Sequence, residues 1–346
     1  MAMNDLEQSL QRAAIQQNWT IDDRFNRIGS PFRWVDGDLH GRMRLEGIYG
    51  VRQVLSMYYE SYPTPASIRT PDLDAVEADI GRVLAGLGQH YFPFLDGDPK
   101  IAINVACTAR VRSQDYAAVR RFCPDLPKRP RHLDIGPGLG SHAIYSLNAL
   151  NGVYIGLEAD FRIYEVQRRV FWYLAQGAGG YYDPVVAETL GAEPAASAAA
   201  LASDAPRLKH LPSWHAPLLA DSSVDLVTAT WVLNEIDSAG ICWLLAQAAR
   251  VLKTGGYVYI RDSGQRKPNR HAIDYDAALL ELGFKASGRL EVRNREDFHG
   301  VPRAYRKERA VAVTFESLFD RFFGRHAVTV HGGSFTYSSA TKADAR

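Results

Sequence analysis

Cysteine is scarce in this chain of 346 residues: Cys107, Cys123 and Cys242 stand far apart and odd in number. They make neither a disulfide framework nor a zinc knuckle. A surplus of charge is also missing. Forty Lys and Arg against 39 Asp and Glu leave a formal +1, which gives no electrostatic case for nucleic acid, whose binders carry a basic domain or stripe. No apolar run approaches the length needed to cross a bilayer. The opening Met1-Ala2-Met3-Asn4-Asp5-Leu6-Glu7 is polar and acidic where a signal peptide is basic and then apolar. These absences predict a cytoplasmic protein with neither a membrane nor a nucleic-acid partner, and leave a homo-oligomer open. With 46% hydrophobic residues there is material for a large core, and the length allows two or three domains.

The spacing of apolar residues changes once along the chain. Residues 5–17 (Leu6, Leu10, Ala13), 47–60 (Ile48, Val51, Val54, Leu55, Tyr58) and 72–87 (Leu73, Val76, Ile80, Val83, Leu84, Leu87) each show a helical period. Residues 115–122 predict a fourth helix. Residues 1–125 therefore read as a mostly helical N-terminal lid domain, closed off by Pro124, Pro127 and Pro130. Over 126–318 strands and helices alternate: strand 131–135, helix 140–150, strand 153–157, helix 161–176, strand 223–230, helix 239–252, strand 257–262 and helix 271–282. This predicts an α/β core, a parallel sheet with helices on both faces. Residues 178–206, broken by Gly179-Gly180, Pro184 and an alanine-rich run, read as an insertion. Apolar runs at 290–292 and 310–315, with no long helix between them, predict an antiparallel edge hairpin. Residues 319–346 read as a C-terminal extension with a frayed polar tail from Ser338.

The most informative stretch is Arg131-His-Leu-Asp-Ile-Gly-Pro-Gly-Leu-Gly-Ser141. A strand that breaks on glycines and restarts as a helix exposes backbone N–H groups, and a nucleotide-like ligand reaches them only where side chains are absent. Two acids sharpen this. Glu158 ends the second strand, where a carboxylate can accept hydrogen bonds from both ribose hydroxyls. Asp134 sits inside the first strand and needs donors to offset its burial, either loop N–H groups or a ligand ammonium. A pyrophosphate has no evident use for Asp134, and Ser141 stands where a dinucleotide site wants Gly or Ala. The pattern asks for a ligand with a cation near the loop and ribose hydroxyls beyond it.

Leu133-Asp134-Ile135-Gly136-Pro137-Gly138-Leu139-Gly140 resembles the first motif of the class I S-adenosylmethionine-dependent methyltransferases. Val224-Asp225-Leu226-Val227, running to Val232-Leu233-Asn234-Glu235-Ile236, resembles their fourth strand and the loop after it. Arg250-Val251-Leu252-Lys253-Thr254-Gly255-Gly256 resembles the turn before their fifth strand. The resemblance covers about residues 130–315. It implies a Rossmann-like seven-stranded sheet with strand seven antiparallel, S-adenosylmethionine as cofactor, and a cofactor set of Asp134, Gly136, Pro137, Gly138, Gly140, Glu158, Thr230 and Trp231. The chain departs from the family around the third strand, where Leu208–Trp214 offers only His210 or Ser213 to meet an adenine ring.

Methyl transfer from a sulfonium needs an aligned nucleophile and, for a hydroxyl, a base that takes its proton. Glu235, His299 and His271 are the candidate catalytic residues, with Asp262 a further acid at the end of the fifth strand. Asp221, Asp225 and Asp237 form no tight pair or triad, so no metal is expected. Arg82, Arg110, Arg112 and Tyr91-Phe92-Pro93-Phe94 are candidates to line a lid over the substrate. The expected activity is methylation of a small molecule, at oxygen, in the manner of sugar or natural-product O-methyltransferases. Rival readings are an NAD-dependent oxidoreductase, transfer to nitrogen or carbon, and a non-catalytic subunit of the same fold.

Overall fold

The computed structural model describes residues 63–91, 99–158, 161–233, 238–262, 275–291, 300–312, 326–331 and 334–339. The predicted helices at 5–17 and 47–60 lie outside them. Two helices come first, α1 (Leu73–Tyr91) and α2 (Pro99–Phe122). The core then runs β1 (Arg131–Ile135), α3 (His142–Asn148), β2 (Val153–Glu158) and α4 (Phe161–Ala178). Next come β3 (Tyr181–Tyr182), α5 (Pro184–Thr189), α6 (Pro194–Ala202) and β4 (Leu208–Pro212). The last part of the core is β5 (Val224–Thr230), α7 (Ser238–Val251), β6 (Leu252–Asp262), α8 (Tyr275–Glu281), β7 (Phe284–Arg289) and β8 (Val301–Lys307). A separate antiparallel pair follows, β9 (His326–His331) and β10 (Ser334–Ser339). The tail expected to fray from Ser338 thus begins inside a strand. No helix among the described residues is long and apolar enough to cross a membrane.

The main sheet has the order β3-β4-β2-β1-β5-β6-β8-β7. Strands β3 to β6 pair in parallel, and β8 runs antiparallel between β6 and β7. Seven of the eight strands are those the resemblance implied, antiparallel member included. The eighth, β3, comes from the stretch 178–206: that insertion supplies an edge strand against Leu208 and Lys209 as well as two helices.

Residues 292 and 313–315 of the expected hairpin lie outside the described residues; the antiparallel pair described is Phe284–Arg289 with Val301–Lys307, in place of 290–291 with 310–312. Apolar content pointed to the wrong residues because β8 buries charge. Lys307 is 3% exposed, and its Nζ donates to the carbonyls of Ala249 and Leu252, both at 2.6 Å. Arg303 Nη2 donates to Asp262 Oδ1 at 2.6 Å. Helix α2 likewise begins well before the predicted residue 115.

Strands β1, β2, β4 and β5 are buried almost throughout, as strands covered on both faces must be. Side chains alternate between the faces. Leu133, Ile135, Val227, Val258 and Ile260 pack with α7 residues such as Ile241, Leu244 and Leu245. On the other face α1 and α2 lie with α3 and α4, through Ile80, Leu84, Tyr116, Ile144, Val166 and Phe171. Residues of α2 further along, Ala118 and Val119, meet Leu226, Tyr257 and Tyr259. The helices read as a leader are therefore part of the sheet's cover.

Candidate functional site

The parallel ladder of β1 and β2 ends with Gly136 N–H donating to the Leu157 carbonyl at 2.9 Å, and the chain then turns, Gly140 N–H bonding the Pro137 carbonyl at 2.8 Å. All three glycines have positive φ: +62° at Gly136, +58° at Gly138 and +75° at Gly140. Their surroundings differ. A Cβ on Gly136 would stand 2.4 Å from Val232, and one on Gly140 would stand 2.3 Å from Phe171, whereas one on Gly138 meets nothing within 4 Å. Gly136 and Gly140 are needed by packing. Gly138 alone opens the backbone outward, as a ligand lying on the turn requires.

Beside the turn, Glu158 is 4% exposed. Its Oε2 accepts from Gln167 Nε2 of α4 at 2.6 Å, and the same nitrogen donates to the Gly138 carbonyl at 2.8 Å. One strand over, Pro212 pairs with Glu158, and Ser213 follows it. The Ser213 Oγ is buried without a hydrogen-bond partner among the described residues. A buried hydroxyl without a partner costs free energy, and this one lies at the strand ends that carry Glu158 and the turn. His210 has no comparable freedom. It is fully buried, stacked on Tyr164 with centroids 3.7 Å apart, and bonded through Nε2 to Gln167 Oε1 at 2.7 Å. The weak match at 208–214 thus resolves into Ser213 as the candidate for a ring contact and His210 as a packed support.

Beneath the turn lies a buried polar cluster on the face covered by α2. Asp134 Oδ2 accepts from Tyr154 OH at 2.7 Å and from His142 Nδ1 at 3.0 Å, and its Oδ1 accepts from Thr228 OH at 2.5 Å. The expected donors, loop N–H groups or a ligand ammonium, are thus replaced by side chains of β2, α3 and β5. His142 Nε2 lies 3.0 Å from Asp115 Oδ2. Asp115, from α2, also accepts from Arg261 Nε at 2.5 Å, Arg261 Nη2 at 2.9 Å and Tyr259 OH at 2.8 Å.

Burial pushes the Asp134 carboxyl up, yet the charge and hydrogen bond of His142 outweigh it and bring it down to about 2. Burial also opposes ionisation of Asp115, but Arg261 and His142 hold it well below the usual carboxylate range. His142 titrates above its ordinary value: burial and Arg112 lower it, and the charge of Asp134 with the hydrogen bonds to both carboxylates more than restores it.

Arg112 of α2 completes the cluster at the turn. Its Nε donates to Ser141 Oγ at 2.9 Å, and its Nη1 reaches Asp115 Oδ2 at 3.2 Å and Thr230 Oγ1 at 3.3 Å. The same Nη1 lies 3.1 Å from His142 Nε2. Of the basic side chains around Asp115 and Asp134, Arg112 is the one at the rim, 12% exposed between the glycine turn and the end of β5. Trp231, just past β5, has a φ of +62° and donates its N–H to the Arg261 carbonyl at 2.8 Å. A positive φ at a tryptophan is a strained conformation of the kind that gathers at functional sites.

Asp134, Gly136, Pro137, Gly138, Gly140, Glu158, Thr230 and Trp231 thus meet at the carboxyl ends of β1, β2 and β5. The candidate bases Glu235, His271 and His299 lie outside the described residues, as does Asp237. Asp262 is paired with Arg303 at the end of β6. Asp221 and Asp225 are engaged by Arg250 and Lys253. Of the leader residues proposed for a lid, Phe92, Pro93 and Phe94 lie outside the described residues; Arg82 and Arg110 pair with Asp79 and Glu77 on α1, Tyr91 OH donates to the Arg169 carbonyl, and Arg112 reaches the site. Sequence reasoning missed Asp115, Gln167 and Arg261. The signal for Asp115 was Ser113-Gln114-Asp115, a polar run within a helix.

The strand order, with its antiparallel member between β6 and β7, is that of the class I S-adenosylmethionine-dependent methyltransferase fold. No family model and no curated protein matches the sequence. Solved structures do. A TehB-like S-adenosylmethionine-dependent methyltransferase from Corynebacterium glutamicum is 14% identical over 55% of this chain and 86% of its own, with a TM-score of 0.37. Phosphoethanolamine N-methyltransferase 1 of Haemonchus contortus is 16% identical over 71% of this chain and 53% of its own, with a TM-score of 0.38. An arsenic(III) S-adenosylmethionine methyltransferase from Chlamydomonas reinhardtii is 18% identical over 57% of this chain and 75% of its own, with a TM-score of 0.32. These are likenesses of fold.

Proposed function

We propose that the protein binds S-adenosylmethionine and transfers its methyl group to a hydroxyl oxygen of a small molecule such as a sugar or another natural product. The observation that carries the cofactor reading is the open face of Gly138 between an acid and a cation. Glu158 would hold the ribose hydroxyls, Ser213 the adenine edge, and Arg112 the methionyl carboxylate, for which its Nη2 has no protein partner among the described residues. Arg112 is a better counter-ion than a lysine would be, since its planar fork matches a carboxylate. The bound cofactor supplies a methyl carbon already activated by the sulfonium. The protein's part is to align the acceptor behind that carbon and to take its proton.

Glu235, His271 and His299 are the residues proposed to take that proton, and in sequence they flank described strands. Position 235 follows β5, and 271 lies in the connection that leaves β6. Position 299 immediately precedes β8, whose Val301 pairs with Asp262 at the end of β6. All three connections attach to the edge that carries the glycine turn. A hydroxyl needs such a base, whereas a thiolate does not.

Calorimetric titration with S-adenosylhomocysteine, NAD and NADP tests the cofactor. Binding of S-adenosylhomocysteine alone is expected, and binding of either nicotinamide cofactor in its place overturns the reading. Transfer of labelled methyl to a panel of hydroxyl, amine and thiol acceptors then tests the atom. Turnover confined to amines would rule out oxygen.

A further inference from the structure

Gln167 is fully buried on α4, and its side-chain amide has three partners. Its Nε2 faces two acceptors, the Gly138 carbonyl at 2.8 Å and Glu158 Oε2 at 2.6 Å. Only the amide nitrogen can serve both, so the amide oxygen is turned towards His210 Nε2, 2.7 Å away. That ring nitrogen must therefore be the donor. His210 Nδ1 is left as an acceptor, and the Tyr181 hydroxyl lies 3.1 Å from it and 3.1 Å from Asp183 Oδ2. The imidazole is held between the stacked ring of Tyr164 and the edge-on ring of Phe171, with centroids at 3.7 and 4.8 Å. The bond at Nε2 and the rings on its faces hold its orientation. The chain runs from His210 through Gln167 to the glycine turn and the acid of β2.

From this geometry we infer that Gln167 is a positioning residue for ribose recognition, holding the Glu158 carboxylate and the Gly138 carbonyl in a fixed relation before any ligand arrives, with His210 setting the orientation of the amide. The inference rests on the reading of Glu158 as the acid that meets the ribose. The terminal torsion of a glutamate is broad, so an untethered carboxylate would lose freedom on binding. A charge-assisted bond on one oxygen removes that freedom beforehand. The same nitrogen ties the carboxylate to the turn on which the cofactor would lie.

The test compares wild type with Gln167→Met, which keeps similar volume without the amide. Calorimetry would measure the affinity of each for S-adenosylhomocysteine and for its 2′,3′-dideoxyribose analogue. Wild type should prefer the diol by at least about tenfold, the range of hydrogen bonds to a charged group. The variant should bind S-adenosylhomocysteine about tenfold more weakly, bind the analogue as wild type does, and so lose the preference. A variant that weakens both ligands equally and keeps the wild-type ratio overturns the inference while leaving the cofactor reading in place. Wild type that binds both ligands equally overturns the ribose role of Glu158, and the inference falls with it. If Gln167→Met does not fold, His210→Phe keeps a ring between Tyr164 and Phe171 and deprives the amide of its donor. The same fall in the ratio is expected there, and an unchanged ratio counts against the inference.

Discussion

Arg261 grips Asp115 with two hydrogen bonds, Nε to Oδ1 at 2.5 Å and Nη2 to Oδ2 at 2.9 Å, and neither side chain has any exposed surface. The pair joins α2, which precedes the sheet in sequence, to β6 near the sheet's far end. A bidentate pair of this kind is among the stronger polar contacts, yet its energy relative to an apolar pair is small. What is large is the cost of breaking it. Asp115→Ala should destabilise the protein by about 3–5 kcal/mol, because the guanidinium stays buried and loses its carboxylate. Adding Arg261→Met should restore much of the loss. Denaturant unfolding of both variants checks this, and a loss below about 1 kcal/mol for the single variant would show the pair to be unimportant.

Gly138 and Gly140 share a backbone conformation and differ in what faces them. Gly140→Ala would drive a methyl into Phe171 and should lower thermal stability, since overpacking costs about 1–3 kcal/mol. Gly138→Ala meets no protein atom and should cost stability only the strain of its positive φ, about 1 kcal/mol. It should nevertheless weaken S-adenosylhomocysteine binding by more than about tenfold, as a methyl on the turn displaces the ligand. Melting curves and calorimetry on the two variants separate these effects. Equal loss of affinity without loss of stability in both would refute the distinction.

The place of Arg112 at the rim of the cluster, 12% exposed, gives it a measurable part. Arg112→Met should reduce affinity for S-adenosylhomocysteine by about 10- to 100-fold, the range of a hydrogen bond to a charged group. Affinity for 5′-methylthioadenosine, which lacks the carboxylate, should stay at the wild-type value. If both ligands weaken together, Arg112 shapes the turn and does not meet the carboxylate.

His132 provides a pH test of the same cluster. It is fully buried, its Nε2 lies 2.7 Å from Thr228 Oγ1, and burial pulls its pKa down to about 3 from 6.5. Between those values the unfolded chain binds a proton on this ring that the folded chain does not. Stability from this residue is therefore complete above pH 6.5 and falls as the pH drops towards 3, with a slope of about 1.4 kcal/mol per unit. His132→Gln should flatten the stability profile between pH 4.5 and 6 by that slope. Parallel profiles for the two proteins would contradict the buried neutral state.

Of the parallel strands, β1, β2, β5 and β6 were legible because they are mostly apolar and their turns carry glycine, whereas β3 lay in a stretch read as an insertion and β4 buries Lys209 and His210. Leu133–Ile135, Val153–Leu157 and Val224–Thr230 state their burial in composition alone. The antiparallel pair was not legible, since Arg303 and Lys307 lie buried in β8 against partners that only the fold brings near. The same holds for the site. Gly138 and Glu158 follow a spacing along one βαβ unit, which a sequence displays. Gln167, Arg112 and Asp115 act through contacts with residues from other elements, which no local pattern records. Asp134 was found for its burial, although its donors are Tyr154, Thr228 and His142.

The position of β8 bears on how the chain is made. Synthesis delivers β6 and β7 first, yet they are not neighbours, and each awaits the same late strand. Until residues 301–307 leave the ribosome, β6 presents an unpaired edge of the kind that invites association with other chains. A nascent chain halted at about residue 295 should therefore be captured by chaperones or cleaved by proteases. One released after Lys307 has reached the carbonyls of Ala249 and Leu252 should resist both. The closing of this sheet is timed by its last central strand.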